Sequence, residues 1–231
     1  MTFSKLTTAA LFTALTLSTS GCIIHVGGHD GHNDNNDHDY SSVLGGLDIS
    51  KNRVVGDLSS VNGDITIEEG VMAQDVEAVN GTIKIANNVS VYDLSTVNGD
   101  IKGQSFLSVK GDVGTVNGTI SLSQGSIVSG DATTVNGDIH LTKTTIADDV
   151  QTQHGSVTLL QGSVVEGNIE FDSQDDNRWW GDKTREHNPP TLTIDETSNV
   201  KGKIILRQVV VLEIQNPALL SKVERRYKES E

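Results

Sequence analysis

Four histidines near the start of the chain are the residues whose type most directly suggests metal chemistry. They are His25, His29, His32 and His38, and they lie among aspartate, asparagine and glycine residues in a segment with almost no apolar content. Neutral imidazole is a common ligand of Zn²⁺, Cu²⁺ and Ni²⁺. The spacing matches neither a closed zinc site nor a calcium loop. We therefore interpret the segment as a solvated tether and predict no specific metal site, with weak metal binding by the four histidines as the alternative.

Two further histidines, His140 and His154, lie in a repeated part of the sequence. Hexapeptide acyltransferases use a histidine on a β-helix of 18-residue turns, but the hexapeptide rule is followed only loosely here. Each histidine stands where other repeats carry a variable residue or asparagine. The sequence also contains no Gly-x-Ser-x-Gly motif, phosphate-binding loop or closed zinc motif. We predict a non-enzymatic protein without a cofactor; an envelope protein that binds or acts on polysaccharide is an alternative.

The single cysteine, Cys22, follows a predicted export signal over residues 1–21. Lys5 supplies the positive n-region, and residues 6–19 form an uncharged, apolar-leaning h-region that is too short for a membrane-spanning helix. The residues before Cys22 resemble the lipobox of bacterial lipoproteins, although Thr19 stands where Leu is commonest. The resemblance implies that Cys22 becomes the N-terminus and carries acyl chains such as palmitate. An ordinary secretory signal with a chance cysteine is the alternative.

Charge and anchoring together predict a location in the cell envelope. The chain has 17 Lys and Arg against 31 Asp and Glu, a formal net charge of −14, which disfavours nucleic acid as a partner. Attachment to the membrane is therefore expected from the acyl chains, at about 0.8 kcal/mol for each buried CH₂. Among bacterial lipoproteins an uncharged residue after the cysteine, here Ile23, implies the outer membrane if the source is Gram-negative.

A short motif repeats along the chain from about residue 42 and is the strongest signal in the sequence. The pentapeptide Val61-Asn62-Gly63-Asp64-Ile65 recurs with its first residue at Val79, Val97, Val116 and Val135, and a degenerate copy begins at Gln153. The steps of 18 or 19 residues, with apolar pairs two apart such as Ile65 and Ile67, predict short strands and not helices. In one repeat the apolar positions are Val61, Ile65, Ile67, Val71, Ala73 and Val76.

These repeats predict an all-β fold, a single-stranded parallel β-helix of about eight coils with about 18 residues each. A right-handed coil is favoured over a left-handed one. A lone coil cannot bury its apolar face, so coils must stack, ~4.8 Å apart. We expect vertical columns of equivalent side chains, including an amide ladder of Asn62, Asn80, Asn98, Asn117 and Asn136. Turn glycines that adopt positive φ are expected at Gly63, Gly81, Gly99, Gly118, Gly137 and Gly155.

The residue after each of these glycines alternates between a carboxylate and a hydroxyl. The series is Asp64, Thr82, Asp100, Thr119, Asp138 and Ser156. Alternation keeps carboxylates two coils apart, where their repulsion in water is about half the roughly 1 kcal/mol expected at one coil. We interpret the column as structural; a row of bound cations is the alternative.

The remaining segments are predicted from breaks in the repeat. Residues 22–41 form the tether, 42–172 the solenoid, 173–190 an insertion loop, 191–215 a final coil and 216–231 a capping helix. Asn216 and Pro217 are typical of a helix start. The insertion holds Arg178, Trp179 and Trp180, which are candidate contacts for a protein or a sugar, or alternatively pack on the last coils.

The Val-Asn-Gly-Asp-Ile repeats resemble those of adhesin-like β-solenoids of bacteria and, less closely, the bactofilins, which are polymer-forming β-helix proteins. The resemblance covers roughly residues 47–171 and rests on short motifs. It implies a structural or surface-interaction role with no catalytic residues to transfer. We therefore expect a lipid-anchored structural or adhesin-like element whose partner is an envelope protein or glycan. A self-assembling scaffold, with copies joined end to end, is the alternative.

Overall fold

A computed structural model describes residues 38–172 and 189–227, which form 25 short strands and one 3-10 helix, Pro217–Lys222. The strands are β1 (Tyr40–Leu44), β2 (Leu47–Ile49), β3 (Leu58–Asn62), β4 (Ile65–Ile67), β5 (Val76–Asn80), β6 (Ile83–Ile85), β7 (Ser90–Val91), β8 (Leu94–Asn98), β9 (Ile101–Gly103), β10 (Ser108–Val109), β11 (Val113–Asn117), β12 (Ile120–Leu122), β13 (Ile127–Val128), β14 (Ala132–Asn136), β15 (Ile139–Thr142), β16 (Thr145–Ile146), β17 (Val150–Thr152), β18 (Val157–Leu160), β19 (Val164–Val165), β20 (Ile169–Phe171), β21 (Thr191–Ile194), β22 (Asn199–Val200), β23 (Ile204–Leu206), β24 (Val211–Ile214) and β25 (Val223–Arg225).

The strands form three parallel sheets, so each coil contributes one strand to each side of a three-sided prism. Sheet A has the order β1-β3-β5-β8-β11-β14-β17-β20-β23-β25, sheet B the order β2-β4-β6-β9-β12-β15-β18-β21-β24, and sheet C the order β7-β10-β13-β16-β19-β22. Isolated bridges join Val54 to Met72 and Met72 to Ser90, and they continue sheet C toward the N-terminal end. The predicted parallel β-solenoid is confirmed.

The solenoid has about nine turns of about 19 residues, slightly more and longer than the predicted eight turns of 18. The extra length lies at the corner between sheets C and A. Tyr92 is followed directly by Asp93, whereas Gly111 is inserted between Lys110 and Asp112 one coil later. A Cβ on Gly111 would lie 1.9 Å from Asp93 Oδ1, so only glycine fits against the carboxylate below.

The core consists of inward-facing residues that alternate with outward-facing ones along each strand. In sheet B, Ile65 and Ile67 are fully buried and Thr66 between them faces out. In sheet A the inward residues are Leu58 and Ser60, so Val61 of the repeated motif faces outward and is only partly buried. The apolar character of Val61 therefore does not mark a core position, because Leu58 and Ser60 are the residues of this strand that face inward.

The predicted capping helix over residues 216–231 is wrong in type and length. Asn216 does cap a helix, with its Oδ1 accepting a hydrogen bond from Ala218 N at 3.2 Å, but the helix is a 3-10 helix that ends at Lys222. The chain then forms β25, because the edge of β23 offers unpaired backbone groups. The helix seals the open end by burying Leu219. No helical segment in the described part of the chain has the length and hydropathy needed to cross a membrane.

The predicted reason for the turn glycines is also wrong. Among the described residues, the glycines with positive φ are Gly45, Gly70, Gly125 and Gly162, and none of the six predicted turn glycines is among them. The corner requires glycine for another reason, which is the close approach of the backbones of successive coils. A Cβ on Gly81 would lie 2.1 Å from the carbonyl oxygen of Gly63 in the coil below. Glycine is required there because coils meet backbone to backbone.

Positive φ values occur in a column at the corner between sheets B and C. The residues are Asn52, Gly70, Asn88, Phe106, Gly125, Lys143 and Gln161, with φ between 51° and 78°. Asparagine and glycine tolerate this region, whereas Phe106 and Lys143 adopt it at a cost of roughly 1–2 kcal/mol each. The Phe106 ring lies over Gly125, where a Cβ would approach Phe106 Cδ1 to 2.6 Å.

We expect Gly99→Ala to destabilise the protein by roughly 3 kcal/mol or more, because its Cβ would lie 2.0 Å from the backbone oxygen of Gly81. The matched control is Gly114→Ala on the outer face of sheet A, where the nearest atom is the movable Thr133 Oγ1 at 3.1 Å. Urea unfolding of both variants measures the difference. Equal stability of the two variants would contradict close approach as the reason for glycine.

Candidate interaction surfaces

An asparagine ladder runs along the corner between sheets A and B, as the sequence predicts. Each side-chain Nδ2 donates to Oδ1 of the asparagine one coil below, from Asn80 to Asn62 at 3.0 Å and from Asn136 to Asn117 at 2.9 Å. The intermediate bonds, from Asn98 and Asn117, are 2.9 and 2.8 Å long. An amide carries both a donor and an acceptor, so one residue type can bond upward and downward without net charge. The ladder therefore stabilises the stack at no electrostatic cost.

The alternating carboxylates beside the ladder also bond between coils. Asp64 Oδ1 accepts from Thr82 N at 2.9 Å, and its Oδ2 contacts Lys84 Nζ at 2.6 Å. The hydrogen bond from Lys84 is the main reason that the pKa of Asp64 is lowered, with the Thr82 N–H second. Asp100 likewise accepts from Thr119 N of the next coil at 2.9 Å, but its lysine partner is Lys102 of its own coil, also at 2.9 Å; its pKa is lowered, first by Lys102. These contacts support a structural interpretation of this column.

A second acidic column, which the sequence analysis did not predict, lies at the corner between sheets C and A. This aspartate column has one residue in each of seven successive coils: Asp39, Asp57, Asp75, Asp93, Asp112, Asp131 and Asp149. Backbone N–H groups of Asp112 and Asp131 donate to Oδ1 of Asp93 and Asp112 at 2.7 and 2.8 Å. The column ends at Asn168, which accepts from Lys203 N at 2.9 Å. The signal was present in the sequence as an aspartate directly before each of the first seven strands of sheet A.

Repulsion within the aspartate column is balanced by these charge-assisted hydrogen bonds. Two carboxylates about one coil apart repel by roughly 1 kcal/mol in water, whereas a hydrogen bond to a charged group contributes roughly 1.5–3 kcal/mol. The balance is incomplete in the middle of the column. Burial, and then repulsion from Asp112, Asp149 and Asp148, raises the pKa of Asp131 although the Asp149 N–H opposes the change. Burial followed by repulsion from Asp93 and Asp57 raises the pKa of Asp75 in the same way.

We expect Asp131→Asn to stabilise the protein by roughly 0.5–1 kcal/mol at neutral pH, because an amide keeps the acceptor for Asp149 N and removes one charge. Asn168 shows that an amide fits this column. A raised folded-state pKa favours the native protein below the ordinary value of 3.8, and that advantage is lost as the pH rises through the folded-state pKa. The difference between variant and wild type should therefore shrink on acidification.

Thermal melting of the wild type and Asp131→Asn between neutral and acidic pH measures this dependence. Asp48→Asn, on the exposed outer face of sheet B, is the control for loss of one charge. A destabilising effect of Asp131→Asn at neutral pH would show that the carboxylate contributes more as an acceptor than it costs by repulsion.

The outer side of sheet C is an exposed surface without carboxylates, on which four large apolar side chains lie among serine, threonine, glutamine and lysine. We call this the apolar face; it consists of residues 54–56, 72–74, 90–92, 108–110, 127–129 and 145–147, which include no Asp or Glu and one charged residue, Lys110. Val54, Met72, Tyr92 and Ile127 on it are each 50–53% exposed. A recess of about 140 Å³ lies between Val54, Met72, Tyr92 and Lys110. In a chain with 31 acidic residues, a side of the prism that carries none over six successive coils is a distinct surface.

The histidines of the described residues do not come together. His140 is exposed on the outer face of sheet B, His38 is exposed at the start of the described chain, and His154 is partly buried where the asparagine ladder ends. His25, His29, His32, Cys22 and the predicted contact residues Arg178, Trp179 and Trp180 lie outside the described residues. Strands β20 and β21, which flank the insertion in the sequence, belong to sheets A and B. Over residues 38–172 and 189–227, no three His, Cys, Asp or Glu side chains are grouped as a metal ion would require.

Comparisons with known proteins give no match: no protein-family model matches the chain, and no curated protein or solved structure does. The resemblance of the repeats to adhesin-like β-solenoids therefore stays a sequence-based interpretation.

Proposed function

We propose that the protein is a non-enzymatic, lipid-anchored β-solenoid of the cell envelope with a structural or adhesin-like role. The observation that carries the proposal is the apolar face, a carboxylate-free surface of six stacked coils, roughly 25 Å long, on which Val54, Met72, Tyr92 and Ile127 are exposed. Several large apolar side chains exposed on one side of a domain are typical of an interaction site. The repeated coils hold this surface rigid, so binding would not require ordering of loops.

The chemistry of the partner follows from what borders the apolar face. Asp93 directly follows Tyr92, and the aspartate column continues along the same edge of the face. A complementary protein surface would have apolar side chains at its centre and Lys or Arg along one margin. We propose a protein partner of that kind in the envelope, since the recess beside Tyr92 is large enough for one side chain of a protein.

Photo-crosslinking in living cells tests this surface with the full-length chain. A photoreactive residue in place of Met72 should give a crosslinked adduct, whereas the same residue in place of Thr158 on the outer face of sheet B should not. Met72→Glu combined with a photoreactive residue in place of Ile127 should lose the adduct, because it puts a carboxylate into the apolar contact. The Met72→Glu substitution should change the free energy of unfolding by no more than ~0.5 kcal/mol, as expected for an exposed site.

The charged margin has its own control. Asp93→Asn together with Asp112→Asn should reduce the yield of the Met72 adduct, because basic residues of the partner lose their counterparts. Adducts of equal yield from positions 72 and 158, or a Met72 adduct that is unaffected by both asparagine substitutions, would overturn the proposed partner chemistry.

Membrane attachment in this proposal comes from Cys22, which the lipobox resemblance identifies as the acylated residue. We expect cells grown with labelled palmitate to incorporate label into the wild-type protein and not into Cys22→Ala. The variant should also leave the membrane fraction, because the net charge of −14 disfavours binding to anionic lipid. Retention of label by Cys22→Ala would contradict the anchor; loss of label with retention in the membrane would show a second attachment.

A self-assembling scaffold is a second candidate, and the C-terminal end of the prism favours it. Strand β24 is the last strand of sheet B, and Val211 on it is 44% exposed. Val209 and Leu220 nearby are each more than half exposed. An apolar edge strand is a template for pairing with another chain. Filaments of the purified protein that Val211→Lys prevents and Met72→Glu does not would favour the scaffold over the adhesin-like role.

A further inference from the structure

The asparagine ladder ends abruptly at Asn136. The next coil carries His154 at the ladder position, and the buried His154 Nδ1 has no hydrogen-bond partner. In the described part of the chain, Asn136 Oδ1 has no donor, so this side chain is held only by its bond to Asn117 at 2.9 Å. Every other ladder asparagine accepts a hydrogen bond from the coil above as well.

The backbone N–H that follows Asn136 also lacks the hydrogen bond found at the other ladder positions. The N–H groups of Gly63, Gly81, Gly99 and Gly118 each donate to the carbonyl oxygen of the ladder residue one coil above, at 3.0–3.1 Å. The corresponding N–H of Gly137 has no acceptor among the described residues. Two groups that are hydrogen-bonded at the other four Asn-Gly pairs are therefore unbonded at this one.

We propose that Asn136 is the residue of the ladder that undergoes deamidation. The nitrogen of Gly137 loses its proton and attacks Cγ of Asn136, which forms the new N–Cγ bond of a succinimide ring. The Cγ–Nδ2 bond breaks and the amide nitrogen leaves as ammonia. Water then opens the ring at either carbonyl, which gives aspartate or isoaspartate, so the net change is hydrolysis of one amide.

The other four asparagines are protected by the stack itself. Attack requires that the carboxamide rotate toward its own backbone and that the following N–H lose its proton. Bonds from both neighbouring coils hold the carboxamide of Asn98, and the N–H of Gly99 is donated to Asn117 O at 3.0 Å. Asn62 at the other end of the ladder also has a bonded neighbour, since Gly63 N donates to Asn80 O. The end position alone therefore does not create the reactive site.

Conversion of Asn136 would alter the hydrogen bonding and the charge at the corner between sheets A and B. A carboxylate cannot donate to Asn117 Oδ1, so the uppermost bond of the ladder is lost. The new charge would also lie two residues from Asp138, whose Oδ1 accepts from Ser156 N at 2.8 Å. An isoaspartate would in addition lengthen the backbone at a corner where Gly137 lies against the carbonyl oxygen of Gly118.

Peptide mass spectrometry of the folded, full-length protein after incubation in mildly alkaline buffer tests the proposal. We expect the Asn136 peptide to be converted roughly fivefold or more faster than the peptides that contain Asn80, Asn98 and Asn117, the ratio expected from loss of a typical hydrogen bond. Incubation in urea should bring all the Asn-Gly pairs to similar rates, which corrects for differences in local sequence.

His154→Asn is the decisive variant, because it supplies the missing ladder residue. Its expected effect is to lower the rate at Asn136 to that of the other sites, whereas the matched variant His140→Asn, on the exposed face of sheet B, should leave the rate unchanged. Similar rates at all five asparagines in the folded wild type would overturn the proposal whether or not the variant folds. A folded His154→Asn protein that still converts Asn136 at the wild-type rate would also overturn it.

Discussion

Direct vertical stacking of one coil on the next is the constraint on which the rest of this structure depends. Parallel bonding holds equivalent residues in register through all three sheets, for example Asn80 opposite Asn98 and Ile83 opposite Ile101. At the β-sheet spacing of ~4.8 Å, each side chain therefore has the side chain at the equivalent position of the next coil as a near neighbour. A residue is favoured in this fold where it can pack against, or bond to, that neighbour. Isoleucine, valine and threonine meet this condition in the core, and glycine meets it where two backbones touch.

Polar residues meet the same condition in different ways at different corners. Asparagine bonds to itself because an amide is both donor and acceptor. Aspartate cannot, so the aspartate column uses the backbone N–H of the next coil as the donor, as between Asp112 and Asp93 at 2.7 Å. The carboxylates beside the asparagine ladder avoid stacking by alternation and by contact with lysines such as Lys84. The raised pKa of Asp131, caused first by burial and then by neighbouring carboxylates, shows that the backbone N–H does not fully compensate for a stack of like charges.

The sequence predicts the features of this fold that repeat from coil to coil. It does not predict the local backbone geometry within one coil. Five copies of one pentapeptide were enough to predict the parallel coils and the partners of Asn62 through Asn136. The inward direction of each strand was harder, because Val61 and Leu58 are both apolar and only register shows that Leu58 faces the core. The positive φ values were assigned to the wrong corner because glycine serves two purposes, and close approach at Gly81 cannot be distinguished from a left-handed turn by residue type. The aspartate column is visible in the sequence, but its residues lie outside the repeated pentapeptide that contains Asp64.

Stacking turns a residue type that is repeated at one position of successive coils into a surface that extends along the axis. A substitution in a single coil changes a surface at one point, but a preference repeated in every coil changes a whole edge of the prism. The aspartate column and the apolar face are adjacent edges of this kind, with Tyr92 and Asp93 as neighbours in the chain. A partner that contacts both would present its apolar and basic groups in two lines parallel to the axis, because both surfaces run in that direction. Affinity would then increase with the number of coils engaged, so that a weak contact per coil is sufficient for stable attachment.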